Sequence, residues 1–399
     1  MRVVLFADSP RENWPSMDRY ARSLFEALQR VAPEHEFILA LPPEPPAGFS
    51  GRLFLLWRVF RYPLWAKRFS ADVYHVLDHS YGHLLWSLDR KRTIVTVHDV
   101  APLRLSSRSL GLSRLAWEAA WSGTQRARWW IFVSDFTKRE VIEFTNKNKK
   151  QIRFSIIPYG VQSHFHPLSE KQVSEWREKL QLGFQKIILH VGHCQPRKNL
   201  ENLLAALALL NRQGLAFHFI QVGGAYTPAQ RRLLENLGLA HCTQQVSQIR
   251  DDNTLVALYN LASVMVMPSL YEGFGMPVLE AMACGTPVVV SNAASLPEVV
   301  GSAGLLVNPL SPASIADAIA RVLEDSDLAS DPRQRGFQRA REFSWERTAQ
   351  ETLKTYRKLL EEVILRVSLF GCVHCDGMHS ILLFSEVPIA WDFGYTSVC

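Results

Sequence analysis

The chain has few of the features that would place it quickly in a class. Its 399 residues include six cysteines, at 194, 242, 284, 372, 375 and 399, too scattered for the dense disulfide framework of a small oxidised domain. The first half lacks a G-x-G-x-x-G fingerprint, and the whole chain lacks G-x-x-x-x-G-K-[ST], so neither a nicotinamide dehydrogenase nor a P-loop nucleotidase is supported. Long hydrophobic runs are missing too. The longest uncharged stretch, Asn253 to Tyr271, is interrupted by Asn260, Ser263, Pro268 and Ser269, and reads as helix, turn and strand rather than a bilayer span. The opening MRVVLFADSP has only five apolar residues between Arg2 and Asp8, short for a signal-peptide core. A cytoplasmic protein is the expectation. With 47% hydrophobic and 21% charged residues, disorder and a collagen-like repeat are excluded.

The length suits two domains, and the patterning agrees. Apolar runs of strand length alternate with amphipathic helical segments, the signature of parallel α/β architecture. Six runs occupy the first half: RVVLFA, EFILAL, DVYHVL, RTIVTVH, WWIFVS and FSIIPYG. A polar helical stretch, Leu168 to Leu182, follows and reads as the interdomain connection. The second half restarts with KIILHVG, AFHFIQVGG, a short segment near Gln245, SVMVMPS, TPVVVSN and GLLVNP. Two doubly wound domains are expected, facing each other across a cleft at the carboxyl ends of their strands. The formal charge of +6 is uneven: residues 1–160 hold 24 Lys and Arg against 15 Asp and Glu, whereas the remainder holds 20 against 23.

Two segments carry the chemistry. In VMVMPSLYEGFGMPVLEAMACGTPVVVSN, Val264 to Asn292, a strand ends near Pro268, Gly273 and Gly275 form a loop, and a helix runs from Met276 or Pro277 to Gly285. Free N–H groups and the helix dipole there favour an anion such as a phosphate. The glycines are expected to let the backbone approach that ligand, and Glu280 to accept two hydrogen bonds from a vicinal diol such as a ribose. In HVGHCQPRKNLENLLAAL, His190 to Leu207, a strand ends at Gly192, and Arg197 and Lys198 sit where the next helix starts. Two cations at a strand end can neutralise a departing diphosphate without a metal. A third segment, TIVTVHDV, places His98 at the end of a first-domain strand with Asp99 beside it.

Taken together, EGFGMPVLEAMACGTPVVVSN, with Glu272 and Glu280 in an E-x7-E arrangement, and VGHCQPRKNL resemble the family 4 retaining glycosyltransferases of the GT-B fold. The resemblance runs from the first strand to about Leu360, through an ending FSWERTAQETLKTYRKLL similar to the family's last helix, which crosses back to the first domain. It implies an acceptor-binding domain over 1–167, a donor-binding domain over 168–340, the returning helix over 341–365 and an unmatched tail over 366–399. It implies catalytic roles for His98, Lys198 and Glu272. Donor binding would fall to Gly192, Arg197, Lys198, Glu272, Gly273, Phe274, Gly275, Met276 and Glu280. The implied reaction moves a glycosyl group from a nucleotide sugar, with GDP-mannose favoured, to a glycan or lipid-linked acceptor, with retention and without a metal or other cofactor. Another GT-B enzyme, an epimerase or phosphorylase, and a non-catalytic nucleotide-sugar-binding protein are the competing readings.

Two departures from the family pattern stand out. His193 follows Val-Gly where many members have Arg, and PSMDRYARSL replaces a glycine-rich string near the amino terminus. Elsewhere, Gly51 to Phe69 carries five Lys and Arg, six aromatics and no acid. It reads either as a peripheral membrane contact or as a partly buried helix pair broken at Pro63. A second basic, aromatic run, Arg104 to Trp130, adds weight to an anionic surface. No motif supports nucleic acid as a partner. Asp325-Ser-Asp327 reads as a solvated helix end rather than a metal site. In the tail, Cys372, His374, Cys375, His379 and Cys399 are a weak zinc set, with a single C-x-x-C, and a non-native or poorly ordered extension is the preferred reading.

Overall fold

The computed structural model describes residues 1–371 apart from 13, 47, 50, 101–111, 146–151, 184, 250 and 325. The tail cysteines and histidines, Asp325 and the start of the second basic run therefore lie outside the described residues. The doubly wound pair is present. In the first domain β1 (Arg2–Phe6), β2 (Glu36–Ala40), β3 (Val73–Val76), β4 (Thr93–Val97), β5 (Trp129–Phe132) and β6 (Phe154–Ile156) form one parallel sheet in the order β2-β1-β3-β4-β5-β6. In the second, β7 (Lys186–Val191), β8 (Phe217–Val222), β9 (Thr243–Val246), β10 (Val264–Met267), β11 (Val288–Ser291) and β12 (Leu305–Val307) take the order β12-β11-β10-β7-β8-β9. Helices cover both faces, so central strands are buried on both sides; β4, β5, β10 and β11 have no exposed residue, which is why they read as unbroken apolar runs.

In each sheet the chain winds first to one side and then to the other. The reversal falls between β1 and β3 in the first sheet and between β7 and β10 in the second. Such switch points leave a crevice at the strand carboxyl ends, and the segments following β7 and β10 are the two motifs singled out above.

The chain crosses between the domains twice. The first crossing leads into a helix, Glu170–Lys179, begun by a capping box in which Ser169 and Gln172 satisfy each other's backbone N–H groups. The second precedes the long helix Trp345–Gly371, whose residues Trp345, Ala349, Thr352, Tyr356 and Leu359 recur at the three- and four-residue spacing of one buried stripe. That stripe lies against the first domain: Tyr356 Oη is 2.7 Å from His75 Nδ1 on β3, and Glu362 pairs with Arg128 at 2.7 Å and with Arg153. One apolar cluster runs from β1 and the helix Pro15–Val31 through Tyr159 to Phe274, Trp345 and the core beneath β7 and β10.

The helix pair broken at Pro63 does not form. A single helix, Gly51–Ala66, passes through the proline. Pro63 forfeits its own bond to the carbonyl of Val59, and the full burial of Tyr62 and Ala66 on the core side offsets that cost. Nor are all the basic residues of this run solvated. Arg58 is turned inward, 2.6 Å from Glu12 Oε1 and stacked over the Tyr81 ring at 4.1 Å.

Candidate functional site

The loop after β10 and the short turn after β7 are tied together by their backbones. Leu270 N donates to Arg197 O at 2.8 Å. Asn199, in a left-handed conformation at φ 61°, donates through Nδ2 to Pro268 O at 2.9 Å and Pro309 O at 2.6 Å. Asparagine tolerates that backbone region, and its amide pins the Pro196–Lys198 turn against the end of β10.

Lys198 and Arg197 converge on Glu272. Lys198 Nζ is 2.5 Å from Glu272 Oε1, and Arg197 Nη1 is 3.3 Å from Oε2. Burial by itself raises the carboxyl's pKa; Lys198 and Arg197 outweigh it and hold Glu272 below its ordinary value. The trio is ionised with one net positive charge left over. Beneath it His190 donates Nδ1–H to Val266 O at 2.9 Å, and burial, reinforced by Lys198, lowers its pKa to about 4, keeping the ring neutral.

Gly275 has φ 114°, which strains any residue with a Cβ, and it opens the helix Met276–Ala283. Gly273 has a reason the sequence did not show: a Cβ there would lie 2.0 Å from His98 O and 3.0 Å from Asp99 Cβ, so contact with the first domain by itself requires glycine. Ser134 Oγ and Thr137 Oγ1 donate to Gly273 O at 2.7 and 3.2 Å. Phe274, 5% exposed, packs its ring edge on Tyr159. Glu298 adds a further tie: its carboxylate accepts from the N–H groups of Asp135 and Phe136, at the start of the helix Asp135–Thr145.

These contacts enclose a cavity of about 300 Å³ between the domains. Every residue given a role from sequence lines it: His98, Gly192, Arg197, Lys198, Glu272, Gly273, Phe274, Gly275, Met276 and Glu280. His98 is committed internally. Its Nε2 lies 2.7 Å from Leu77 O, which can only accept, so Nε2 carries the proton and Nδ1 accepts from Tyr159 Oη. Burial lowers the pKa of the ring although Asp78 opposes it. Glu280 likewise has both oxygens engaged, with Arg19 Nη1 at 2.7 Å and Tyr259 Oη at 2.8 Å. Burial raises its pKa, opposed chiefly by Arg19.

Several cavity residues escaped the sequence reading. Trp14, Arg19, Tyr159 and Leu255 also line it, as do Asp99 and His193, which the sequence had marked only as the neighbour of His98 and as a departure from the family pattern. Arg19 lies inside PSMDRYARSL, a string whose local pattern carries no sign of its partner, a carboxylate in the other domain. Nothing local marks Tyr159; it follows β6, two strands away from β4, and meets His98 only through the fold. Among the described residues no cluster of three His, Cys, Asp or Glu side chains is placed to hold a metal ion.

Comparison with known proteins agrees with this arrangement. Residues 4–164 match the family model described as Glycosyltransferase Family 4, and residues 172–339 the one described as Glycosyl transferases group 1. The chain is 32% identical over 304 residues to O-antigen chain mannosyltransferase B of Escherichia coli, covering 75% of this chain and 78% of that protein. It is 30% identical over 335 residues to a D-inositol 3-phosphate glycosyltransferase of Corynebacterium jeikeium, covering 79% and 78%. In fold it is similar to a sucrose-phosphate synthase of Thermosynechococcus elongatus, with TM-score 0.71 at 24% identity over 91% of this chain and 100% of that one. It is also similar to Anabaena HepE solved with UDP-glucose, with TM-score 0.71 at 19% identity over 90% and 100%. Matched in both halves, and alike to such relatives over most of its length, the chain belongs to the group 1 glycosyl transferases of glycosyltransferase family 4, and it is a glycosyltransferase.

Proposed function

We propose that the chain is a retaining, metal-independent hexosyltransferase that takes its sugar from a nucleoside diphosphate donor, GDP-mannose foremost, and builds a polysaccharide or glycoconjugate. The observation that carries this is the Lys198–Glu272–Arg197 cluster at the β7/β10 switch point, one charge in excess and beside the N-terminus of the Met276–Ala283 helix. The mannose preference rests on the Escherichia coli relative, which is named a mannosyltransferase. Residues 168–340 act as the donor half, residues 1–167 as the acceptor half, and 341–365 as the strap between them.

In the reaction the bond from the anomeric carbon to the diphosphate oxygen breaks, and one to the acceptor oxygen forms on the same face. The acceptor's proton passes to the departing phosphate. Lys198 and Arg197 stabilise the charge that develops on the diphosphate, and a preorganised pair does so without reorganisation. Glu272 and the Gly273–Met276 backbone hold the donor sugar, Gly192 lets the diphosphate approach β7, and Glu280 receives the ribose. His98, neutral and fixed by Leu77 and Tyr159, walls the sugar rather than titrating.

The acceptor is a glycan or a lipid-linked sugar, met at the cytoplasmic membrane face. Along the helix Gly51–Ala66, Leu53, Leu56, Phe60 and Leu64 form one exposed apolar stripe, with Arg61, Lys67 and Arg68 exposed nearby. Such a stripe with cations beside it suits an anionic lipid surface. Among the described residues no helix is long and apolar enough to cross a membrane.

The test is thermal unfolding with a panel of nucleoside diphosphates and nucleotide sugars, followed by transfer assays with the ligands that bind. Selective stabilisation by GDP and GDP-mannose, with sugar transfer unaffected by chelator, is expected. Turnover that needs only the nucleotide sugar, or phosphate with an oligosaccharide, would replace this reading with an epimerase or a phosphorylase.

A further inference from the structure

Arg19 belongs to the first domain but is bonded to the second. It projects from the first turns of the helix Pro15–Val31, 24% exposed at the side chain, and its two terminal nitrogens separate to two carboxylates. Nη1 donates to Glu280 Oε1 at 2.7 Å, and Nη2 donates to Asp252 Oδ1 at 2.8 Å. Its guanidinium lies 5.8 Å from the centroid of the Phe165 ring, on the segment that joins the domains.

Glu280 is thus held from two sides of unlike character. Tyr259, on the helix Asp252–Leu261, belongs to the same domain as Glu280 and travels with it. Arg19 does not. A separation of the domains by a few ångströms breaks the Arg19 bond and leaves the Tyr259 bond intact. Without its cation a carboxyl 5% exposed loses the partner that offsets its burial, and burial favours the neutral form, which accepts fewer hydrogen bonds. With Arg19 in place, two of the carboxylate's four lone-pair positions are filled and two remain for a diol.

Resting on the reading of Glu280 as the ribose contact, we propose that Arg19 is a positioning residue that makes the ribose site conditional on domain closure, by holding Glu280 charged and oriented from across the cleft. Nucleotide binding and closure are then linked: each favours the other by the same factor. Arg19 carries no charge to the anomeric carbon and acts only through Glu280.

The probe is whichever of GDP and UDP the full-length protein binds more tightly, titrated by calorimetry beside its 2′,3′-dideoxy analogue. Arg19→Gln is expected to weaken the nucleoside diphosphate and raise the donor KM on the order of tenfold, with kcat changed less, and Arg19→Lys to recover part of the loss. The dideoxy analogue should lose little in either variant, an outcome that a merely structural contact between domains does not produce. In a Glu280→Gln background, adding Arg19→Gln should change affinity less than about twofold. Unchanged affinity in Arg19→Gln, or losses that multiply in the double variant while Glu280→Gln alone discriminates ribose from dideoxyribose, overturns the inference and leaves the ribose reading standing. Glu280→Gln weakening both probes equally removes the ribose reading, and the inference with it. Unfolding midpoints of all variants separate these outcomes from loss of fold.

Discussion

In the second domain the cleft is lined chiefly from two short segments, 190–198 and 272–280, that leave adjacent strands. In the first domain Trp14, Arg19, His98, Asp99 and Tyr159 arrive from three separated stretches of chain. The charges differ as well. The second domain keeps its cleft cations beside an acid, two cations against one carboxylate. The first half buries an acid cluster at its own switch point: burial raises the pKa of the Asp8 carboxyl, with Asp78 and Glu12 adding to it. Burial works against the Asp78 carboxylate as well, but the His79 ring nitrogen at 3.1 Å and the Ser80 N–H outweigh it and hold Asp78 well below its ordinary value. On the proposed reading, a diphosphate is a fixed target that one compact motif can meet. The other wall is assembled from the fold, and its acid cluster is partnered by Arg58 rather than presented to a phosphate.

Four measurements would break or sharpen that contrast. Lys198→Ala should lower kcat on the order of a hundredfold or more, since it removes a preorganised charge and leaves Glu272 poorly neutralised; near-normal steady-state transfer would show that the compact motif is not the leaving-group site. Gly273→Ala should cost roughly tenfold or more in kcat with the circular dichroism spectrum retained, because its Cβ meets the first domain at His98 O. An unaffected enzyme would mean that the two walls need not meet so closely.

Stability at acid pH compares the buried histidines of both halves. Burial lowers His75 and His83 to about 3 and His190 to about 4. The unfolded chain therefore takes up protons that the folded one refuses once pH falls below about 6.5, and stability declines from there to about 4 by ~1.4 kcal/mol per pH unit per histidine. Urea midpoints at pH 7, 6 and 5 that coincide would contradict the neutral assignments. The smallest effect is expected at the surface: Phe60→Asp should reduce cosedimentation with anionic phospholipid vesicles several-fold, since a ring that loses only about 40 Å² of contact with water contributes about 1 kcal/mol. Equal binding by both proteins would remove the proposed membrane contact of the first domain.

The strands were legible because parallel strands covered on both faces must be apolar throughout. The edge strand β9, TQQV, has no fully buried residue and could be placed only as a short segment near Gln245. The helix through Pro63 was misread because proline is a local breaker, whereas the buried Tyr62 and Ala66 that keep the helix intact gain their energy from distant neighbours. In the site, Arg197 and Lys198 after β7, and Glu272 and Glu280 after β10, stood out because each pair sits at fixed spacing within its own strand–loop–helix unit. Tyr159 and Tyr259 did not, since each acts on a residue far away in sequence.

The sequence by itself determined the two sheets, the glycine loop after β10 and the identity of the cations, because periodicity, glycine and charge are properties of neighbouring residues. Only the tertiary structure decided what those groups touch: that Gly273 makes room for a carbonyl of the other domain, that His98 is consumed by Leu77 and Tyr159, and that Glu280 answers to Arg19. Those contacts span tens to hundreds of residues, and their geometry exists only once both cores have packed and the last helix has tied one domain to the other.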